Sequence, residues 1–237
     1  MDIWGRIYRD HWEGDPHPHV IERDDGHRHV LEDAAGYFTA PRLEAETRAF
    51  RGLEGPVLDV ACGPGSYAVY LQNHGLTVTA VDNSPGAVRI AGMRGCLDAR
   101  VMDLRELELE DGAYASIVVL GNTFGAYMSP ATLPAHLARL RRVVRDGGVL
   151  VTSTVDPLDT DDPVHLAYHE RNRDRGRPSG LVTVRVSYRE EQTDWFELWL
   201  TTREEVVPIA TAAGWSLEDE TPERPWRVRR FRAVPTR

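Results

Sequence analysis

Val57-Leu58-Asp59-Val60-Ala61-Cys62-Gly63-Pro64-Gly65-Ser66-Tyr67 runs from an apolar strand through a glycine-rich turn into a helix beginning near Ser66. Glycines at 63 and 65 allow positive backbone angles and a close approach that a Cβ would forbid. The helix that follows offers free N–H groups at its start, suited to a carboxylate or a phosphate. Asp59 stands inside the strand, where a carboxylate is costly to bury unless something pairs with it. A cationic ligand would supply that pairing.

A second signal follows at Leu76-Thr77-Val78-Thr79-Ala80-Val81-Asp82, a strand with an acid at its end. Ser84 and Pro85 then give an N-cap and a helix-compatible first residue. An acid in this place is set to accept both hydroxyls of an adenosine ribose. Arg100-Val101-Met102-Asp103-Leu104 reads as a third short strand ending in an acid. Together these segments resemble the nucleoside-binding half of the class I S-adenosylmethionine-dependent methyltransferases, strongly from Leu53 to Pro157 and weakly outside that span.

The resemblance implies S-adenosyl-L-methionine as cofactor and S-adenosyl-L-homocysteine as product. It assigns Asp59, Ala61, Gly63, Pro64 and Gly65 to the methionyl part, Asp82 and Asn83 to the ribose, and Met102, Asp103 and Leu104 to the adenine. The strand exit Leu120-Gly121-Asn122-Thr123-Phe124-Gly125 lies beside the donor methyl group in that family, so Gly121 and Asn122 are further donor contacts. The alternative there is a plain strand-exit turn. Asn122 is not followed by the two prolines of many base and amino-group methylases, which argues against methylation of a nucleic-acid base. A glycine turn with a following acid also occurs in nicotinamide-binding proteins, so a nicotinamide-dependent oxidoreductase is the rival. A non-catalytic nucleoside-binding partner protein is another.

The chain has 237 residues, enough for one domain with a full core. Acids exceed bases by 37 to 28, which disfavours nucleic acid as a partner. Every basic residue other than histidine is an arginine, so Schiff-base chemistry and a lysine base are excluded. Five arginines between Arg224 and Arg232 alternate with Trp226, Val228 and Phe231, as on an edge strand with a solvated face. Cys62 and Cys96 lack metal spacing, no metal is expected, and a reduced, cytoplasmic setting follows. No signal-peptide pattern or bilayer-spanning run is read, so no membrane partner is expected; a monomer or a homodimer is.

The expected architecture is α/β: a doubly wound, seven-stranded, mostly parallel sheet with a final antiparallel hairpin. Residues 1–50 are an N-terminal helical cap, with a polar loop holding His17, His19, His27 and His29 and a helix from Pro41 to Arg51. Residues 51–237 are the methyltransferase-type domain. Within it, 158–200 is a helix and β-hairpin insertion after the fifth strand that shapes an acceptor pocket with the N-terminal segment. The helix from Ala131 ends in Arg145-Asp146-Gly147-Gly148, read as a glycine stop.

For chemistry beyond donor alignment, a neutral alcohol, phenol or ammonium acceptor needs a base. His165 and His169 lie four apart on one helical face and are candidates for base or substrate contact, against a solvated face or, lacking a third ligand, a metal pair. Tyr37 is the third candidate catalytic residue. Tyr8, Trp12, Tyr37, Phe38 and Tyr127 are candidates to line the pocket of a small-molecule acceptor, with core packing as the alternative.

Overall fold

The computed structural model describes residues 2–235. Helix α1 (Ile3–Trp12) leads into strands β1 (His19–Arg23) and β2 (Arg28–Leu31), a 3-10 turn (Ala35–Phe38) and helix α2 (Glu44–Ala49). The alternating part follows as β3 (Val57–Val60), α3 (Ser66–Asn73), β4 (Val78–Asp82), α4 (Pro85–Met93), β5 (Ala99–Val101), β6 (Tyr114–Val119), α5 (Leu133–Val143) and β7 (Val144–Val155). Next come α6 (Pro163–Asp174), β8 (Leu181–Tyr188), β9 (Glu191–Gln192) and β10 (Phe196–Trp199). The chain closes with α7 (Arg203–Ala212), β11 (Trp215–Glu223) and β12 (Trp226–Ala233).

The main sheet has seven strands in the order β11-β12-β7-β6-β3-β4-β5. β3, β4, β5, β6 and β7 pair in parallel, while β12 runs antiparallel to both β7 and β11. Strand order reverses beside β3, with β4 on one side and β6 on the other, so a crevice opens at the carboxyl ends of these strands. Every residue of β3 and β6 is buried, as parallel strands covered on both faces require. The final antiparallel hairpin matches the sequence reading. The arginine-rich strand differs from it: β12 is inside the sheet, covered by β11. Its arginines are therefore paired across strands, Arg230 and Arg232 with Glu218, and fully buried Arg229 with Glu220 at 2.5 Å.

A second, five-stranded antiparallel sheet runs β10-β8-β1-β2, with β9 on β8. It joins the N-terminal segment to the later insertion through the β1–β8 ladder, His19 opposite Tyr188 and Ile21 opposite Val186. The N-terminal cap therefore carries two strands, β1 and β2, between its helices α1 and α2. The stretch expected as a loop forms β1 and β2, and His19 is fully buried. The reason is tertiary: β1 pairs locally with β2, but its other edge is closed only by β8 from a distant segment. The helix expected over Pro41 to Arg51 is confined to Glu44–Ala49. Arg145-Asp146-Gly147-Gly148 belongs to β7, α5 having already ended at Val143 after Arg141 and Arg142.

Three histidines are buried and held neutral. Burial pushes the imidazoles of His19, His136 and His169 down to about 4. Each takes up a proton more readily unfolded, near 6.5, than folded. Its contribution is therefore complete above pH 6.5 and is lost as pH falls toward 4. His136, packed near Phe124 in α5, isolates the effect. Denaturant titrations should find that His136→Leu loses about 2 kcal/mol less than the parent between pH 7 and pH 5.

Candidate functional site

The crevice is floored by the turn that follows β3. Ala61 at φ 56°, Gly63 at φ 54° and Gly65 at φ 78° all occupy the left-handed region. Gly65 is the N-cap of α3, and a Cβ there would lie 2.7 Å from the Ala91 Cβ, so the turn needs glycine to let α4 pack. At Gly63 the neighbour is the Tyr8 hydroxyl, 3.4 Å from the position a Cβ would take. Pro64 offers its carbonyl to Arg94 at 2.7 Å.

Asp59 is buried, and its Oδ2 has no hydrogen-bond partner among the described residues. Burial first, and the nearby Asp82 charge second, push its carboxyl up to about 8, against the opposing pull of the Ala68 N–H. A buried carboxylate without a cation is half of an interaction. Asp82 ends β4. Its Oδ2 accepts from the Gly63 N–H at 2.8 Å and its Oδ1 from the Ser84 N–H at 2.9 Å. Burial raises its pKa while these backbone bonds lower it. Asn83 beside it is exposed.

Beyond β5, Met102 is tied to β4 through its N–H on the Asp82 carbonyl at 2.9 Å, and Leu104 is buried. Asp103 is gripped by Arg105, whose Nη2 donates at 2.5 Å, and this pairing holds the Asp103 carboxyl below its usual range. Arg105 also lies over the Tyr127 ring, which stacks on Phe196 of β10 at 4.6 Å. Tyr127 thus belongs to the seam between the exit loop of β6 and the second sheet. Its N–H bonds the Glu197 carbonyl at 2.8 Å.

At the exit of β6, Gly121 donates its N–H to Ser153 Oγ at 2.8 Å. The Asn122 side chain accepts from the Val155 N–H at 2.7 Å, so it ties down the end of β7. Arg42, which sequence reasoning missed, lies directly against Gly121. Its Nε donates to Tyr67 Oη at 3.0 Å, and its guanidinium lies 5.7 Å from the Trp226 ring. Fully buried Glu46 organises the base of this group, accepting from Tyr67 Oη, Ser153 Oγ and the Arg42 N–H. A single arginine before a short helix carries no motif, so no signal in the sequence marked it.

Of the aromatic candidates, Tyr8 and Tyr37 reach the turn. The Tyr37 carbonyl accepts from Ser66 Oγ at 2.6 Å, and the two rings are 5.5 Å apart. Burial raises the Tyr8 phenol and pushes Tyr37 up to about 12, so both are neutral hydroxyls. Phe38 is held by Arg94, and Trp12, 43% exposed, stacks against Phe38 away from the turn.

His165 and His169 are a different matter. His165 Nδ1 faces Arg23 Nη1 at 2.9 Å, and its ring packs on His27. Buried His169 has His165, Arg23 and Arg173 as its charged neighbours. This cluster belongs to the β1–β2 turn and α6, where burial first and the Arg23 guanidinium second lower the basicity of the His165 imidazole. The structure therefore does not bring the expected base pair to the donor turn.

Residues 57–148 match the methyltransferase domain family. A malonyl-[acyl-carrier protein] O-methyltransferase from Serratia marcescens is 34% identical over 104 residues, 42% of this chain and 38% of that protein, so the chain matches well under half of that relative's length. Among solved structures, a Bacteroides fragilis S-adenosylmethionine-dependent methyltransferase in complex with S-adenosyl-L-homocysteine superposes with TM-score 0.83 at 20% identity, covering 99% of this chain and 95% of that one. A Streptomyces caelestis methyltransferase superposes with TM-score 0.63 at 15% identity, covering 81% and 89%. The domain match falls on the strands, glycine turn and acids that form the crevice, and the fold likeness to the Bacteroides fragilis structure extends over nearly the whole chain. Residues 57–148 thus carry a match to the methyltransferase domain, and the chain as a whole is similar in fold to S-adenosylmethionine-dependent methyltransferases.

Proposed function

We propose that this chain transfers a methyl group from S-adenosylmethionine to a small-molecule acceptor held between the glycine turn and the second sheet, with bacterial specialised metabolism as its setting. The observation that carries the reading is the orphaned Asp59 carboxyl beside a glycine turn that Asp82 closes. The residues fit the donor on three counts. Asp59 Oδ2 has no hydrogen-bond partner among the described residues, Gly63 carries no Cβ on the side that faces the Tyr8 hydroxyl, and Arg42 presents a guanidinium at Gly121. When bound, the donor supplies an electrophilic methyl group on a sulfonium.

The chain's own residues bind and align. Asp59 faces the ammonium, Arg42 holds the carboxylate, Asp82 takes the ribose hydroxyls, and Met102 and Leu104 flank the adenine. Asp103 is the candidate for the adenine amino group, which would share its oxygens with Arg105, since both already accept from that residue. Holding nucleophile, methyl carbon and sulfur in line is worth ~7–11 kcal/mol of barrier. Tyr8 and Tyr37 exclude water, and as neutral phenols they are hydrogen-bond partners, not bases. The acceptor's bond to the methyl carbon forms as the carbon–sulfur bond breaks, and its proton passes to solvent, before transfer where the acceptor reacts in its basic form. A net charge of −9 supports a small molecule over a nucleic acid.

Calorimetric titration with S-adenosylhomocysteine tests the donor site, with reduced nicotinamide dinucleotide as the competing ligand. Micromolar binding of the first and none of the second is expected; the reverse would reject the reading. Acceptors are then screened by release of the homocysteine product. Arg42→Ala should weaken S-adenosylhomocysteine binding roughly tenfold to hundredfold, as loss of a charged hydrogen-bond donor does. Unchanged affinity in a folded variant would remove Arg42 from the carboxylate.

A further inference from the structure

We propose that Asp2 is a positioning residue for the donor site: its carboxylate clasps α1 to the turn that carries Asp82, and the clasp sets how fast the donor leaves. The inference rests on the donor reading above and adds a residue outside every donor-binding motif.

Asp2 is the N-cap of α1, its Oδ1 accepting from the Gly5 N–H at 2.9 Å. The same carboxylate reaches across to another helix. Ser84 Oγ donates to Oδ1 at 2.6 Å, and the Gly86 N–H donates to Oδ2 at 2.8 Å. One side chain therefore caps α1 and satisfies the first turn of α4. The backbones must touch for this to happen. A Cβ on Gly86 would lie 2.5 Å from the Gly5 Cα, and a Cβ on Gly5 would lie 2.7 Å from the Gly86 Cα. Glycine on both helices is what lets the carboxylate reach.

From Ser84 the connection continues into the site. The Ser84 N–H donates to Asp82 Oδ1 at 2.9 Å, and the other Asp82 oxygen holds the Gly63 N–H at 2.8 Å. An unbroken path thus runs from the start of α1 through Ser84 and Asp82 to the glycine turn. Further along α1, Tyr8 covers Gly63. On its other flank α1 is tied to the second sheet, with Asp10 accepting from Tyr188 Oη at 2.8 Å and pairing with Arg189 at 3.1 Å. Among the described residues, the side-chain hydrogen bonds from this segment to the donor half are those of Asp2. A donor lying on Gly63 and Asp82 is beneath Tyr8, so it exchanges when α1 lifts, and lifting α1 breaks the Asp2 bonds.

The test is stopped-flow displacement of S-adenosylhomocysteine followed by tryptophan fluorescence, Trp4 being on α1, in protein tagged at its C-terminus. Asp2→Ser keeps a good α1 cap but is too short to span to Gly86. Asp2→Asn keeps one acceptor oxygen and loses the other. Dissociation should be about tenfold faster or more in Asp2→Ser and intermediate in Asp2→Asn, while the ligand-free thermal midpoint falls by only a few degrees and the fold persists. Parental dissociation rates in a folded Asp2→Ser overturn the clasp while leaving the donor site standing. If that variant does not fold, Asp2→Asn decides by the same criterion. A parent protein that binds no S-adenosylhomocysteine overturns the donor reading, and the clasp with it.

Discussion

Replacing Asp82 by alanine is expected to weaken S-adenosylhomocysteine binding by about 2–4 kcal/mol, roughly thirtyfold to several hundredfold. Two losses combine. The carboxylate offers charged acceptors for both ribose hydroxyls, and each such bond contributes about 1.5–3 kcal/mol before discounting for water that replaces it. It also holds the turn, since the Gly63 and Ser84 N–H groups both end on it. Without it those donors lose their partner, and the glycine turn loses the bond that fixes its distance from β4. Asp82→Asn keeps one acceptor oxygen and should lose distinctly less. Calorimetry on both variants, with circular dichroism to show that the fold persists, separates the two losses. Parental affinity in a folded Asp82→Ala would take the ribose away from Asp82.

The sheet that positions Asp82 was legible because its signals are local. Apolar runs at 57–60 and 114–119 are buried on both faces, and an acid inside such a run stands out because burial penalises it. Glycines 63 and 65 declare a turn that other residues resist. Of the second sheet, the hairpin of β8 and β10 was legible from its alternation, but β1 and β2 were not, for a physical reason. The residues of β1 that face inward are His19, Ile21 and Arg23, two of them polar, so the alternation that marks a strand is hidden. Its ladder with β8 also forms across most of the chain, and pairing at that distance leaves no local trace. Arg42 and Asp2 are single residues whose importance lies in what they reach. The histidines at 165 and 169 show the converse. Their spacing was read correctly as one helical face, but spacing does not say which way a helix turns in space.

Binding of S-adenosylhomocysteine is expected to expel a proton from Asp59 and to tighten by up to about tenfold per pH unit from pH 6 to pH 8, levelling above. In the ligand-free protein, burial and the neighbouring Asp82 hold the carboxyl pKa at about 8, far above its unfolded value of about 4. The folded protein thus keeps this proton more tightly than the unfolded chain. Its contribution to ligand-free stability is complete below pH 4 and is lost as pH rises through 8. An ammonium placed against the orphaned Oδ2 reverses the preference, because an opposite charge at contact favours the ionised form. Below pH 8 the ligand must therefore displace the proton, and affinity rises with pH until no proton remains to displace. Calorimetry at pH 7 in phosphate and in Tris reads this directly. The two buffers differ in heat of ionisation, so the apparent enthalpies should differ by the equivalent of nearly one proton. Asp59→Asn should abolish both the buffer difference and the pH slope while binding more weakly at pH 8. Equal enthalpies in the two buffers for the parent would mean that Asp59 is not the counter-charge of the ligand. The orphaned carboxyl would then serve the fold of the turn alone.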